Sequence, residues 1–144
     1  MSKSYSLAGI RVGLGVSSRS IIEQMNKVRD SYNLDRIAQT LATNCFQFQD
    51  YFQSIWQKVR NTRNRLTESL INLDFLVCDS DANFVLASPQ WIEASQLYTK
   101  LKERKVLVRY FKHPRISNYV RITVGTDAEI DRLLEVIEQL KNEG

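Results

Sequence analysis

Between Phe48 and Leu70 the apolar side chains fall on one stripe: Phe48, Phe52, Ile55, Val59, Leu66 and Leu70 recur at intervals of three, four or seven. That period predicts a long amphipathic helix, with Gln and Arg on the other face. Beyond it the pattern changes. Phe75 to Cys78 and Asn83 to Ala87 are short β-prone runs around the polar Asp79-Ser80-Asp81 turn. Val106 to Val108 reads as another strand and Tyr119 to Val124 as a third clear one. Pro89 suits the first turn of a helix continued by Trp91, Ile92, Ala94, Leu97, Tyr98 and Leu101. Asp127 is placed to cap a last helix striped with Ile130, Leu133, Leu134, Ile137 and Leu140. Upstream, Ile10 to Val16 reads as a buried strand. Ser17 and Ser18 then open a helix carrying Ile21, Ile22, Met25 and Val28, and a second helical stretch holds Leu34, Ile37, Ala38 and Leu41. The implied fold class is α/β, with a few short strands covered by helices on one side. The second half reads as a small α+β domain, and the first thirty residues as the edge of something larger.

Composition narrows the function classes. In 144 residues, 43% hydrophobic with 5 Gly and 2 Pro, collagen-like, low-complexity and disordered chains are excluded. Cys45 and Cys78 are the only cysteines and lie far from a C-x-x-C spacing, so neither a disulfide scaffold nor a thiolate metal site is expected. The net charge is +4, but acids and bases alternate along most of the chain. The densest cationic stretch, Lys58 to Arg65, reads as a solvated helix face, so no nucleic-acid partner is expected. No apolar run is long enough to span a bilayer, and the start is too polar for a signal peptide. The expectation is a soluble cytoplasmic protein with no membrane partner.

Most familiar chemical motifs are missing. There is no phosphate-binding G-x-x-x-x-G-K-[ST], and Gly13-Leu14-Gly15 lacks the third glycine of a dinucleotide fingerprint. His113 is alone in a polar loop beside Pro114, and no pair of carboxylates has a setting suited to acid–base work. What remains is Ser2-Lys3-Ser4-Tyr5-Ser6-Leu7-Ala8-Gly9-Ile10-Arg11-Val12-Gly13. A lysine among hydroxyls, with an arginine eight positions on, suits capture of a phosphorylated aldehyde. The amine forms an imine while Ser and Arg donate to phosphate oxygens. An ordinary polar terminus leading into a strand accounts for the same residues on chemistry alone.

This segment resembles the pyridoxal-phosphate lysine signature of fold-type I aminotransferases, in the form met in histidinol-phosphate aminotransferases. Four later blocks are similar in order and spacing. They are Tyr32 to Gln39, Ser80 to Leu86 with its Ala-Asn-Phe, Val106 to Phe111, and Tyr119 to Thr126 with its Arg-Ile-Thr-Val-Gly-Thr. The resemblance covers essentially the whole chain. Three positions depart from the pattern: Asp79 stands for a proline, Leu14 for a frequent aromatic, and Lys105 where a glycine is common.

The resemblance implies the following. The cofactor is pyridoxal 5'-phosphate. Lys3 is its imine-forming lysine and the base that moves the α-proton, and Ser2 and Arg11 hold its phosphate. Arg121 and Arg109 hold the anionic group of the substrate, taken to be the phosphate of histidinol phosphate. The activity is amino transfer between glutamate and imidazole acetol phosphate, in histidine biosynthesis. Related alternatives are a threonine-phosphate decarboxylase or an aromatic aminotransferase, and from another class a non-catalytic binding or oligomerisation module. Residues 1–30 are the remnant of a large cofactor-binding domain, and 31–144 a C-terminal small domain with a long interdomain helix. Chains of the family are more than twice this long. The aromatic that stacks on the cofactor ring and the carboxylate that pairs with its nitrogen are expected upstream of Met1. On that reading the isolated chain has negligible turnover, being either encoded as a fragment or working only with an N-terminal partner. The full-length family is expected to be homodimeric.

Overall fold

The computed structural model describes residues 1–143. They fall into two units, the first spanning residues 1–56 and the second beginning at Gln57.

The first unit contains α1 (Arg19–Val28), α2 (Arg36–Gln47) and the opening turns of α3 (Gln49–Asn72). Asp35 caps α2 through its carboxylate, which accepts from the Ala38 amide at 2.8 Å. Ser18 stands at the N-cap of α1 but gives no side-chain cap; its hydroxyl meets that of Ser20. An aromatic cluster organises the unit. The Tyr5 ring lies 4.8 Å from Phe52, 5.4 Å from Trp56 and 5.8 Å from Phe46, at tilted or edge-on angles. The Trp56 indole N–H donates to the Ser4 carbonyl at 2.6 Å, and Gln49 donates to the Tyr5 hydroxyl.

The strand expected over Ile10 to Val16 is absent. Residues 8–11 form a turn, and of the run that follows only Val12 is buried, while Leu14 is 69% and Val16 89% exposed. A strand needs a ladder partner, and among the described residues none pairs with this one. For the same reason α1 buries none of its residues, although its apolar stripe has the expected spacing.

The second unit is an antiparallel sheet with helices on one face. Its strands are β1 (Phe75–Val77), β2 (Phe84–Pro89), β3 (Arg109–Tyr110) and β4 (Val120–Thr123), in the order β1-β2-β4-β3. Register places Val85 opposite Ile122 and Ala87 opposite Val120, and these four side chains form the inner face. Onto them pack Leu66 and Leu70 of α3, Ala94, Leu97 and Leu101 of α4 (Ala94–Glu103), and Ile130, Leu133, Val136, Ile137 and Leu140 of α5 (Asp127–Asn142). Burying each such aliphatic side chain contributes about 1.5–3 kcal/mol. The helices-on-one-side arrangement and the long helix carrying Leu66 and Leu70 are as the periodicity predicts, except that Phe48 is the exposed C-cap of α2 and α3 starts at Gln49.

Local details differ, each for a physical reason. Pro89 does not start a helix; it is the last residue of β2, opposite Phe75, and α4 begins only at Ala94. The Val106–Val108 strand is displaced to Arg109–Tyr110, because α4 ends in a left-handed turn at Lys105 (φ 60°). There the Val106 amide donates to the Leu101 carbonyl and the Lys105 amide to that of Lys102, a Schellman closure that delays strand pairing. The cap of α5 is Thr126 rather than Asp127. The Thr126 hydroxyl accepts from the Glu129 amide while the Glu129 carboxylate accepts from the Thr126 amide at 2.7 Å.

Candidate functional site

Lys3 sits in a run of tight turns closed by backbone bonds from Tyr5 and Leu7 to the Met1 carbonyl and from Ser6 to that of Lys3. Its side chain is exposed, and Ser2 is half-buried. Arg11 is also exposed, adopts a left-handed backbone (φ 58°) and donates through Nη1 to the Ala8 carbonyl at 3.1 Å. Tyr5, which periodicity and spacing did not single out, anchors these turns through the aromatic cluster. Its position two residues after Lys3 was the available signal.

Arg109 and Arg121 belong to the second unit, on the sheet face opposite the helices. They are direct cross-strand partners, with Tyr110 paired to Val120 beside them. Residues paired in this way present their side chains on one face, with Cβ atoms about 5 Å apart. The Phe111 ring, just beyond β3, serves both: the Arg109 guanidinium carbon lies 5.3 Å from its centre and that of Arg121 5.7 Å. On its other flank the Arg121 guanidinium lies 5.3 Å from the Phe84 ring. Such cation–π contacts contribute about 0.5–2 kcal/mol each, depending on desolvation.

No carboxylate balances either arginine among the described residues; the ion pairs involve Arg19, Arg63, Arg65, Arg104, Arg132 and Lys141 instead. The Nε–H of Arg121 is buried without an acceptor. Two guanidinium groups held side by side on aromatic faces, with no carboxylate on either among the described residues, have the donors to accept a small anion with several oxygens. The neighbouring Cys78 thiol pushes the phenol of Tyr119, two residues before Arg121, above the ordinary range.

The surrounding blocks prove largely architectural. Ser80 donates to the Phe84 carbonyl at 2.6 Å and accepts from the Ala82 amide, closing the turn that delivers Phe84. Arg63 reaches the same turn, donating to the Ala82 carbonyl at 2.8 Å and to Asp81 at 3.4 Å. It is only 9% exposed, so the cationic stretch from Lys58 to Arg65 is not the uniformly solvated face its composition suggests. Arg65 is half-buried and bridges Asp127 and Asp131 of α5. Asp127, bonded first to the Thr62 hydroxyl and then to Arg65, is held below the ordinary carboxylate range. Glu129 is likewise lowered, by the Thr126 amide and hydroxyl. Gly125 fits this cap because a Cβ there would stand 2.6 Å from the Glu129 carboxylate. Cys45 is buried and Cys78 exposed, and neither forms a disulfide.

Among the described residues no helix is long and apolar enough to cross a membrane, and no group of three or more His, Cys, Asp or Glu is placed to hold a metal.

Comparison with known proteins extends the geometry. The chain is 90% identical over 143 residues to a histidinol-phosphate aminotransferase of Crocosphaera subtropica, covering 99% of this chain and 41% of that protein. It is 74% identical over 141 residues to a protein of the same name from Rippkaea orientalis, covering 98% of this chain and 40% of the relative. The chain thus spans about two-fifths of the length of the curated relatives it matches. Among solved structures, the histidinol-phosphate aminotransferase of Sinorhizobium meliloti in complex with pyridoxal-5'-phosphate superposes with a TM-score of 0.80 at 27% identity. That match covers 96% of this chain and 40% of the other. The family model for aminotransferase class I and II matches residues 1–137. With the lysine segment, the arginine pair and the antiparallel sheet inside that match, the chain belongs to the aminotransferase class I and II family.

Proposed function

We propose that this chain is part of a pyridoxal-phosphate-dependent histidinol-phosphate aminotransferase, exchanging an amino group between glutamate and imidazole acetol phosphate. Residues 1–30 then belong to its large cofactor-binding domain and residues 31–144 to its small domain. The names of the relatives at 90% and 74% identity support this particular reaction. The observation that carries the substrate class is the pairing of Arg109 with Arg121 on one sheet face, with no carboxylate on either among the described residues. A carboxylate substrate satisfies one guanidinium fork, whereas a dianionic phosphate has oxygens and charge for two.

The donor set of the lysine segment fits the cofactor. An aldehyde needs a primary amine that is free of a protein anion, and a phosphate needs hydroxyl and guanidinium donors. Lys3, Ser2 and Arg11 supply these within one run of turns, and Lys3 is exposed with no ion pair among the described residues. When bound, pyridoxal phosphate supplies the electron sink that makes an α-proton removable. Lys3 Nζ would remove the proton from the α-carbon of the amino donor and, in the reverse half-reaction, deliver one to the α-carbon of the oxo acceptor. Ser2 and Arg11 bind the cofactor phosphate, and Arg109 and Arg121 bind and orient the substrate phosphate. The remainder of the enzyme supplies the groups that enclose Lys3, and the working assembly is a homodimer.

The test is a chimera in which this sequence replaces the matching 143 residues of the Crocosphaera subtropica relative. It should transfer the amino group of histidinol phosphate to 2-oxoglutarate. Decarboxylation of threonine phosphate, transfer confined to aromatic amino acids, or no turnover by a folded chimera would each overturn the reading.

A further inference from the structure

We propose that Phe111 is a positioning residue for the substrate's anionic group: its ring sets the spacing and tilt of the Arg109 and Arg121 guanidinium groups. The inference rests on the reading that these arginines bind a phosphate, and adds a residue that neither the lysine segment nor the arginine pair assigns. Two like charges on directly paired strand positions repel one another, and in most sheets they would splay into solvent. Here neither turns to a carboxylate. The Phe111 ring centre lies 5.3 Å from the Arg109 guanidinium carbon and 5.7 Å from that of Arg121, so one π-face system accepts both cations. Phe84 holds Arg121 from its other flank at 5.3 Å. Arg121 is half-buried with its Nε–H covered and unpaired, which fixes its orientation by packing rather than by hydrogen bonds. Arg109 is the exposed member and has Phe111 as its aromatic contact. Among the described residues Phe111 is therefore the aromatic ring in cation–π contact with both guanidinium groups.

The arrangement predicts that removing the ring leaves both arginines present but badly aimed. Ground-state capture of the phosphate suffers, while steps at the α-carbon do not. In the chimera described above, Phe111→Leu and Phe111→Met should each raise KM for histidinol phosphate about 5- to 10-fold, the range of a lost cation–π pair. The kcat should stay within about twofold, and so should kcat/KM for histidinol, which has no phosphate. Phe111→Tyr, which keeps the ring, should restore the KM. Having two apolar replacements guards against one of them misfolding. If unsubstituted chimera uses histidinol as well as histidinol phosphate, the phosphate reading fails and this inference with it. If the chimera prefers the phosphate and both ring-less variants keep that preference and KM within twofold, the inference alone is overturned. A fall in turnover on both substrates alike would assign Phe111 a purely structural role and would also overturn it.

Discussion

Arg109 and Arg121 are directly paired residues of two antiparallel strands, and both guanidinium groups lie against the ring of Phe111. Like charges on directly opposed strand positions are destabilising, and here only aromatic rings offset them among the described residues. An anion held between them would offset that repulsion, and this is what the proposed substrate-binding role supplies.

The first prediction concerns Lys105, which holds a left-handed backbone at the end of α4 and stands where the family pattern has glycine. An L-residue pays about 1–2 kcal/mol in that conformation. Lys105→Gly should therefore stabilise the protein by up to about 1 kcal/mol, glycine losing part of the gain through its freer unfolded chain. Denaturant unfolding checks this, and an unchanged or lower midpoint would show that the lysine makes a compensating contact.

The α5 cap gives the second. Thr126→Ala removes the hydroxyl that accepts from the Glu129 amide and should cost about 1 kcal/mol. Gly125→Ala should also destabilise, because the new methyl displaces the Glu129 carboxylate from the Thr126 amide. Thermal melts of the two variants and their combination should be less than additive, since both damage one cap.

Acid should weaken the same region. Asp127 and Glu129 are held below the ordinary carboxylate range, by Thr62 and Arg65 for the one and by Thr126 for the other. Their contribution is therefore complete above about pH 4–5, the range of unperturbed carboxylates, and is lost as pH falls through the lowered values. An Asp127→Asn, Glu129→Gln variant should show a shallower fall in melting temperature below pH 4. Parallel profiles would contradict the assignment.

Lys3 sets a fourth expectation. In the chimera, Lys3→Ala should abolish amino transfer while the protein still folds cooperatively, because among the described residues the Lys3 side chain makes no ion pair. The isolated 144-residue chain should show negligible transfer from histidinol phosphate even with added pyridoxal phosphate, since its Lys3 amine is exposed. Turnover by the isolated chain would show that the groups enclosing Lys3 come from within it.

Much of this frame was legible in the sequence because period and burial coincide in the second unit. Leu66 and Leu70, the alternation in β4 and the α5 stripe all report one hydrophobic face. The strand assigned to Ile10–Val16 failed because apolar composition cannot supply the missing ladder partner. Pro89 was misplaced because proline is tolerated equally at a strand end and in a first helical turn. Thr126 and Asp127 are both good N-caps by residue type, and only the Glu129 partner three residues on singles out Thr126. Arg109 and Arg121 were named from a motif, whereas their adjacency through Phe111 follows from register across a long connection. Arg63 carries no local signal that distinguishes it from its solvated neighbours Lys58 and Arg60.

The central claim is that the paired arginines jointly grip a phosphate. The direct measurement is a double-mutant cycle in the chimera, Arg109→Ala, Arg121→Ala and both, with kcat/KM for histidinol phosphate and for histidinol. Each single change should cost the phosphorylated substrate about 10- to 100-fold, as expected for a charge-assisted hydrogen bond, and the pair should cost less than the product of the two. Histidinol should be affected less than about twofold. Equal losses on both substrates, or strictly multiplicative effects, would contradict a shared phosphate site.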